Sequence, residues 1–141
     1  MRMTNLEASL GLAQMERLHT FIEKKKSFNN IYREILADIP FIKFQEEGAQ
    51  GKSAWWLSSV TIEHPHKDIQ TIQEELKMRG IPSRRLFVPI NNFPPYNDAS
   101  NDLLSVCEHL YKYGINLPSS TVNAEKTIKS VAQEIKKICR Y

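Results

Sequence analysis

The stretch Ala54-Trp55-Trp56-Leu57-Ser58-Ser59-Val60-Thr61-Ile62-Glu63 decides the fold class. Its side chains alternate, with Trp56, Val60 and Ile62 on one face and Trp55, Leu57 and Thr61 on the other. Successive side chains of a strand point to opposite sides of its sheet, so this aromatic and β-branched run predicts a central strand. His64-Pro65 ends it. Asp68 then offers a cap to a helix carrying Ile69, Ile72 and Leu76, and Gly80 stops that helix.

Upstream, Leu6, Leu10, Ala13, Leu18, Phe21, Ile22, Phe28, Tyr32, Ile35, Leu36 and Ile39 recur at helical spacing. Thr4 or Asn5 can cap the start with a side-chain oxygen, and Pro40 bars Ile39 from helical geometry. The phase changes near residues 14–17, where a bend is expected. A stripe this long cannot be covered within so short a chain, which calls for a partner domain or a second copy. Phe41 to Phe44 reads as a short strand, and Gln45 to Lys52, with Gly48 and Gly51, as a loop.

Downstream, Ile81 to Ile90 starts extended and leads into the proline-rich loop Asn91-Asn92-Phe93-Pro94-Pro95-Tyr96-Asn97. Asn101 is placed to cap a helix carrying Leu103, Leu104, Cys107, Leu110 and Tyr111 as far as Gly114. Ile115-Asn116-Leu117 is a strand before Pro118. Asn123 is placed to cap a last helix bearing Ile128, Val131, Ala132, Ile135 and Ile138. The whole predicts one α+β domain over residues 1–141. A long helical segment fills 1–39, and a small, largely antiparallel sheet covered by helices fills 40–141.

Composition narrows the function. With 41% apolar and 25% charged residues the chain has the make-up of a globular domain. It has no apolar run near the roughly 20 residues of a membrane helix. Met1-Arg2-Met3-Thr4 lacks the continuous apolar segment of a secretory signal, so a cytoplasmic address is expected. The net charge is +3, and its one basic triplet, Lys24-Lys25-Lys26, sits with Glu16 and Glu23 on one helix. That is a solvated face rather than a surface for nucleic acid. Cys107 and Cys139 fall on apolar helix faces and are expected as buried free thiols.

Chemistry-bearing motifs are few. His64-Pro65-His66 lacks the Cys, Asp or Glu companions that a metal site needs at ligand spacing. No glycine-rich loop follows a strand, and no serine stands in a nucleophile elbow. Two segments stand out. Arg84-Arg85 with Leu86-Phe87 puts cations and an aromatic at a strand end, and the loop after it holds Asn91, Asn92 and Tyr96 on proline-stiffened backbone. Proline lowers the entropy cost of fixing such a loop against a ligand. A structural crossover accounts for the same residues equally well.

Together these segments resemble the DegT/DnrJ/EryC1/StrS family of pyridoxal-phosphate-dependent sugar aminotransferases. Arg2-Met3-Thr4-Asn5-Leu6-Glu7-Ala8 with Gly11 and Gln14 is similar to its R-M-T-x-[IL]-x-A-x-x-G-x-x-Q helix. Trp55-Trp56 fits the strand that follows. Gly80-Ile81-Pro82-Ser83-Arg84, Phe87, Pro89-Ile90 and Pro94-Pro95-Tyr96 fit the family's central stretch, and Gly114 to Ser120 fits its G-[IL]-x-L-P-[ST] strand. Four motifs in the family's order span nearly the whole chain.

The resemblance implies the small C-terminal domain of a fold-type-I aminotransferase. Such enzymes pass an amino group, usually from glutamate, to a keto sugar attached to a nucleotide. A lysine upstream of the R-M-T helix holds their pyridoxal phosphate as a Schiff base. None of the lysines here stands in a matching context, so the chain alone is expected to bind no cofactor and to be inactive. Arg2 corresponds to the arginine that completes a neighbouring subunit's cofactor-phosphate site, a task suited to a guanidinium. Arg84, Asn91 and Tyr96 fall at substrate-binding positions. The family commonly has histidine where Asn91 stands, and asparagine keeps the hydrogen bonding but not the acid–base chemistry. The expected partners are a catalytic-lysine domain or a second copy, with a nucleotide sugar as substrate. A free-standing dimerisation or sugar-nucleotide-binding module is the alternative, and an unrelated effector-binding α+β domain is a third.

Overall fold

The computed structural model describes residues 2–96 and 104–140. Helix α1 (Asn5–Glu16) starts at Thr4, whose hydroxyl accepts from the Glu7 backbone N–H while the Glu7 carboxylate accepts from the Thr4 N–H. This reciprocal box satisfies two of the helix's free donors. The expected bend falls at Arg17, after which α2 (Leu18–Leu36) continues. Strand β1 (Ile42–Phe44) precedes β2 (Ser58–Ile62), and α3 (Ile69–Met78) is capped by Asp68 and closed by Gly80 at φ +72°. Strand β3 (Arg84–Arg85) leads through two 3-10 turns (Ile90–Asn92 and Pro94–Tyr96). Helix α4 (Ser105–Tyr113), strand β4 (Gly114–Leu117) and helix α5 (Glu125–Arg140) complete the α+β architecture expected from the sequence.

The four strands form one antiparallel sheet in the order β1-β2-β4-β3. Register aligns Ile42 with Ile62, Val60 with Ile115 and Ser58 with Leu117, so these residues share one face. The apolar face meets α2, α3 and α5. Phe28, Tyr32 and Leu36 of α2, Ile72 and Leu76 of α3, and Ile128, Ile135 and Ile138 of α5 are buried there. Each such side chain contributes about 2 kcal/mol over its exposed state, which makes this layer the centre of stability. The Tyr32 hydroxyl, inside the layer, donates to the Pro118 carbonyl at 2.8 Å.

The opposite face carries Ser59, Asn116 and Arg84 in register, and α4 lies over it. Gly114 sits beneath α4, where a Cβ would stand 2.1 Å from Leu86 Cδ1 and 2.2 Å from the Leu110 carbonyl oxygen. Only glycine admits that approach.

Several sequence expectations are corrected. Strand β2 begins at Ser58, not Ala54, because Trp55 adopts φ +48° and breaks the alternation. Trp55 therefore turns inward at 8% exposure, while Trp56, expected beside Val60 and Ile62, stands 70% exposed. Helix α4 buries none of its residues, so Cys107 is exposed, whereas Cys139 is buried as expected. The reason is that, among the described residues, no second layer covers the outer side of α4. Asn101 and Leu103 lie outside the described residues. Helix α5 opens at Glu125, and its first turn bonds to the Ala124 carbonyl rather than being capped by Asn123.

Candidate functional site

Of the four residues singled out from the sequence, Arg84 lines a cleft of about 460 Å³. Lys25 from α2, Trp56 before β2, Ser83 and Phe87 flanking Arg84, and Ser119 and Ser120 after β4 form its walls with Asn116. The β2–β4 register and the α2 packing bring these distant segments together. The Lys25 ammonium donates to the Trp56 carbonyl oxygen at 2.7 Å, and burial lowers its pKa from the ordinary lysine value. Asn116 accepts from the Ser59 hydroxyl at 2.6 Å, which fixes its amide plane at the cleft floor. Ser83 Oγ is buried without a hydrogen-bond partner among the described residues.

The two adjacent arginines do different work. Arg85 is half-buried, donates to the Tyr111 carbonyl and holds its guanidinium 5.0 Å from the Tyr111 ring centroid, tying β3 to α4. Arg84 is exposed and makes no ion pair among the described residues. Among the described residues that line the cleft there are two cations and no Asp or Glu.

The other three residues are placed apart from Arg84. Asn91 is buried in the first 3-10 turn with Oδ1 unpartnered among the described residues, and Tyr96 is exposed in the second; neither lines the cleft. Arg2 is exposed ahead of α1. Lys25, Trp56 and Ser83 were missed as site residues. Lys25 is hidden in a basic triplet that reads as solvated, and the outward turn of Trp56 depends on a backbone angle that periodicity does not encode.

His64 serves as a turn cap, its Nδ1 accepting from the His66 and Lys67 backbone N–H groups at 3.1 Å each. Among the described residues no three His, Cys, Asp or Glu side chains are grouped to hold a metal ion, and no helix is long and apolar enough to cross a membrane.

Helix α1 is the other conspicuous feature. It has no buried residue, and Leu6, Leu10, Leu12 and Met15 are all more than 60% exposed. These apolar side chains are spread around the helix, not gathered on one stripe, and all lie open in this chain.

Comparison with known proteins gives the class of this architecture. The model of the DegT/DnrJ/EryC1/StrS aminotransferase family matches residues 1–136, and the chain belongs to that family. It is 33% identical over 127 residues to EpsN of Bacillus subtilis, named as a pyridoxal phosphate-dependent aminotransferase; the match covers 85% of this chain and 32% of that protein. It is 32% identical over 139 residues to the GDP-perosamine synthase of Vibrio cholerae, covering 96% of this chain and 37% of the relative. The fold is shared with DesI, solved with its TDP-sugar product, at a TM-score of 0.85 and 24% identity over 97% of this chain and 36% of that one. The chain thus spans about a third of the length of the relatives it matches.

Proposed function

We propose that this chain is the small-domain part of a pyridoxal-phosphate-dependent aminotransferase acting on nucleotide-linked keto sugars, and that it does not catalyse alone. The observation that carries the reading is α1, a helix whose apolar side chains lie open in this chain. A catalytic-lysine domain laid against α1 would cover them and bring Arg2 to the edge of a cofactor-phosphate site. Arg84 would then face substrate from the cleft, with Asn91 and Tyr96 acting on the loop beyond it. The names of the relatives, which include GDP-perosamine synthase and a dTDP-4-amino-4,6-dideoxy-D-glucose transaminase, supply the substrate class. The reading keeps the cytoplasmic address expected from the sequence.

The cleft itself does not fit the cofactor. Lys25 is its one lysine, and that amine is held by the Trp56 carbonyl. No carboxylate stands among the lining residues to pair with a pyridinium nitrogen. Addition of pyridoxal phosphate, borohydride reduction and intact mass test this directly. The expected result is no adduct beyond that of denatured protein, and a single stoichiometric adduct on one lysine would overturn it. A chimera joining the large domain of the Vibrio cholerae relative to this chain is expected to transaminate. A folded, cofactor-loaded chimera without activity would remove the aminotransferase reading.

The bare face of α1 also fits a second copy of this chain, in a free-standing dimerisation or sugar-nucleotide-binding module. A stable dimer of the chain alone, measured by light scattering and abolished by Leu6→Glu with Leu10→Glu, would favour that reading.

A further inference from the structure

The turn between β2 and α3 is built around one imidazole. His64 Nδ1 accepts from the backbone N–H groups of His66 and Lys67, both at 3.1 Å. A backbone N–H can only donate, so this nitrogen must be unprotonated, and the neutral ring carries its proton on Nε2. A protonated imidazole has an N–H on each nitrogen. Both turn bonds are therefore incompatible with the charged form of His64.

The same turn holds the end of α5. Lys67 Nζ donates to the Ile138 carbonyl at 3.1 Å and pairs with Glu75 of α3 at 2.9 Å. The Cys139 backbone is a hydrogen-bonding partner of the His64 ring, and Cys139 itself is only 4% exposed. From another side the Phe41 ring meets the imidazole edge-on, with centroids 5.0 Å apart. The entry to β1, the start of α3 and the last turn of α5 thus converge on His64.

The surroundings favour the neutral ring. Burial first, then Lys67, lower the His64 pKa from 6.5; His66 adds to this, while the Cys139 backbone and Glu75 act the other way. The carbonyl end of α5 attracts a cation, but Lys67 already occupies it. Glu63, one residue before His64, pairs with Lys43 of β1 at 2.8 Å and lies 3.6 Å from His109 of α4. Protonation of His109 strengthens that contact rather than breaking it. A group with a depressed folded-state value stabilises above its unfolded value, and its contribution is lost as pH falls through the folded one. The turn is therefore closed at neutral pH and loosened in mild acid.

We propose that residues 64–67 form a pH-sensitive clasp on the end of α5. With His64 neutral the turn is closed and Lys67 holds the last helical turn; protonation of His64 opens the turn and uncovers Cys139. The clasp lies outside the cleft and is independent of the aminotransferase reading.

Cys139 supplies the readout. In a Cys107→Ser chain, which lacks the exposed thiol, the rate of labelling by dithiodipyridine is measured from pH 8 to pH 5. Each rate is divided by that of N-acetylcysteine at the same pH. The ratio is expected to rise about tenfold as pH falls, the equilibrium effect of losing one hydrogen bond. Adding His64→Asn is expected to keep the ratio flat, because an asparagine oxygen accepts from the backbone N–H two residues on and does not titrate. A flat ratio in the chain that keeps His64, or an equal rise with His64→Asn, overturns the proposal. So does loss of the far-UV circular dichroism over the same range, since the exposure is then global unfolding. Heteronuclear NMR of the unsubstituted chain tests the clasp without any variant. The His66 and Lys67 amide signals are expected to move with the titration of the His64 ring, and amides that do not follow it overturn the clasp as well.

Discussion

Lys25 in the middle of α2 donates its ammonium N–H to the backbone carbonyl of Trp56, 2.7 Å away and 31 positions along the chain. The contact ties a helix of the core layer to the segment that enters the central strand, and it brings a cation and an exposed aromatic to one cleft.

Removing that donor should loosen the entry to β2. Lys25→Ala is expected to cost about 1 kcal/mol, the usual net value of such a hydrogen bond at a partly exposed site. Urea denaturation checks the figure. The emission of Trp55, the neighbour of Trp56 and only 8% exposed, should shift toward that of a freely solvated indole before the main unfolding transition.

Gly114 is expected to be intolerant of any side chain. A Cβ there would overlap Leu86 Cδ1 and the carbonyl oxygen of Leu110, and the second of these belongs to helix backbone that cannot swing aside. Gly114→Ala should destabilise by about 2–3 kcal/mol, as overpacking does. The loss should appear in the thermal midpoint, with α4 released first.

The two thiols should differ sharply. Cys107 is exposed on α4, while burial of Cys139 on α5 pushes its pKa up to about 11. At pH 8 a disulfide reagent is expected to titrate one thiol quickly and the second only in denaturant. The raised value has a stability consequence. The folded chain keeps a proton that the unfolded chain releases, so Cys139 stabilises below about pH 9 and that contribution falls as pH rises toward 11.

Acid should act through Asp38, which follows α2 and meets α5. Hydrogen bonding from Lys136, whose Nζ lies 2.7 Å from Oδ1, and then from Arg140 lowers its pKa below the ordinary 3.8. A carboxylate with a depressed folded-state value stabilises the fold above its unfolded value. That contribution disappears as pH falls through the folded one. Asp38→Asn is therefore expected to lower the thermal midpoint at pH 7 and to match the parent at pH 2. Equal midpoints at both pH values would show that the cluster contributes nothing.

What local physics encodes was legible in the residues. The caps at Thr4 and Asp68, the stop at Gly80, the break near Arg17 and the stripe Ile128, Val131, Ala132, Ile135 and Ile138 all follow from interactions within one or two turns. So did the order of elements and the four motifs that pointed to the family, since both are written along the chain. Which apolar stripes find cover is a different matter. The patterns of α1, α4 and α5 all read as faces to be buried, yet only α5 is enclosed by α2 and α3, and Cys107 and Cys139 part company for that reason. The outward turn of Trp56 depends on one dihedral at Trp55, and its meeting with Lys25 and Arg84 depends on how β2 registers with β4 and where α2 crosses them. Sequence alone determined the elements and the family, because those depend on near neighbours. The cleft exists only because long-range packing chose one arrangement of those elements, in which residues far apart in the chain share a wall.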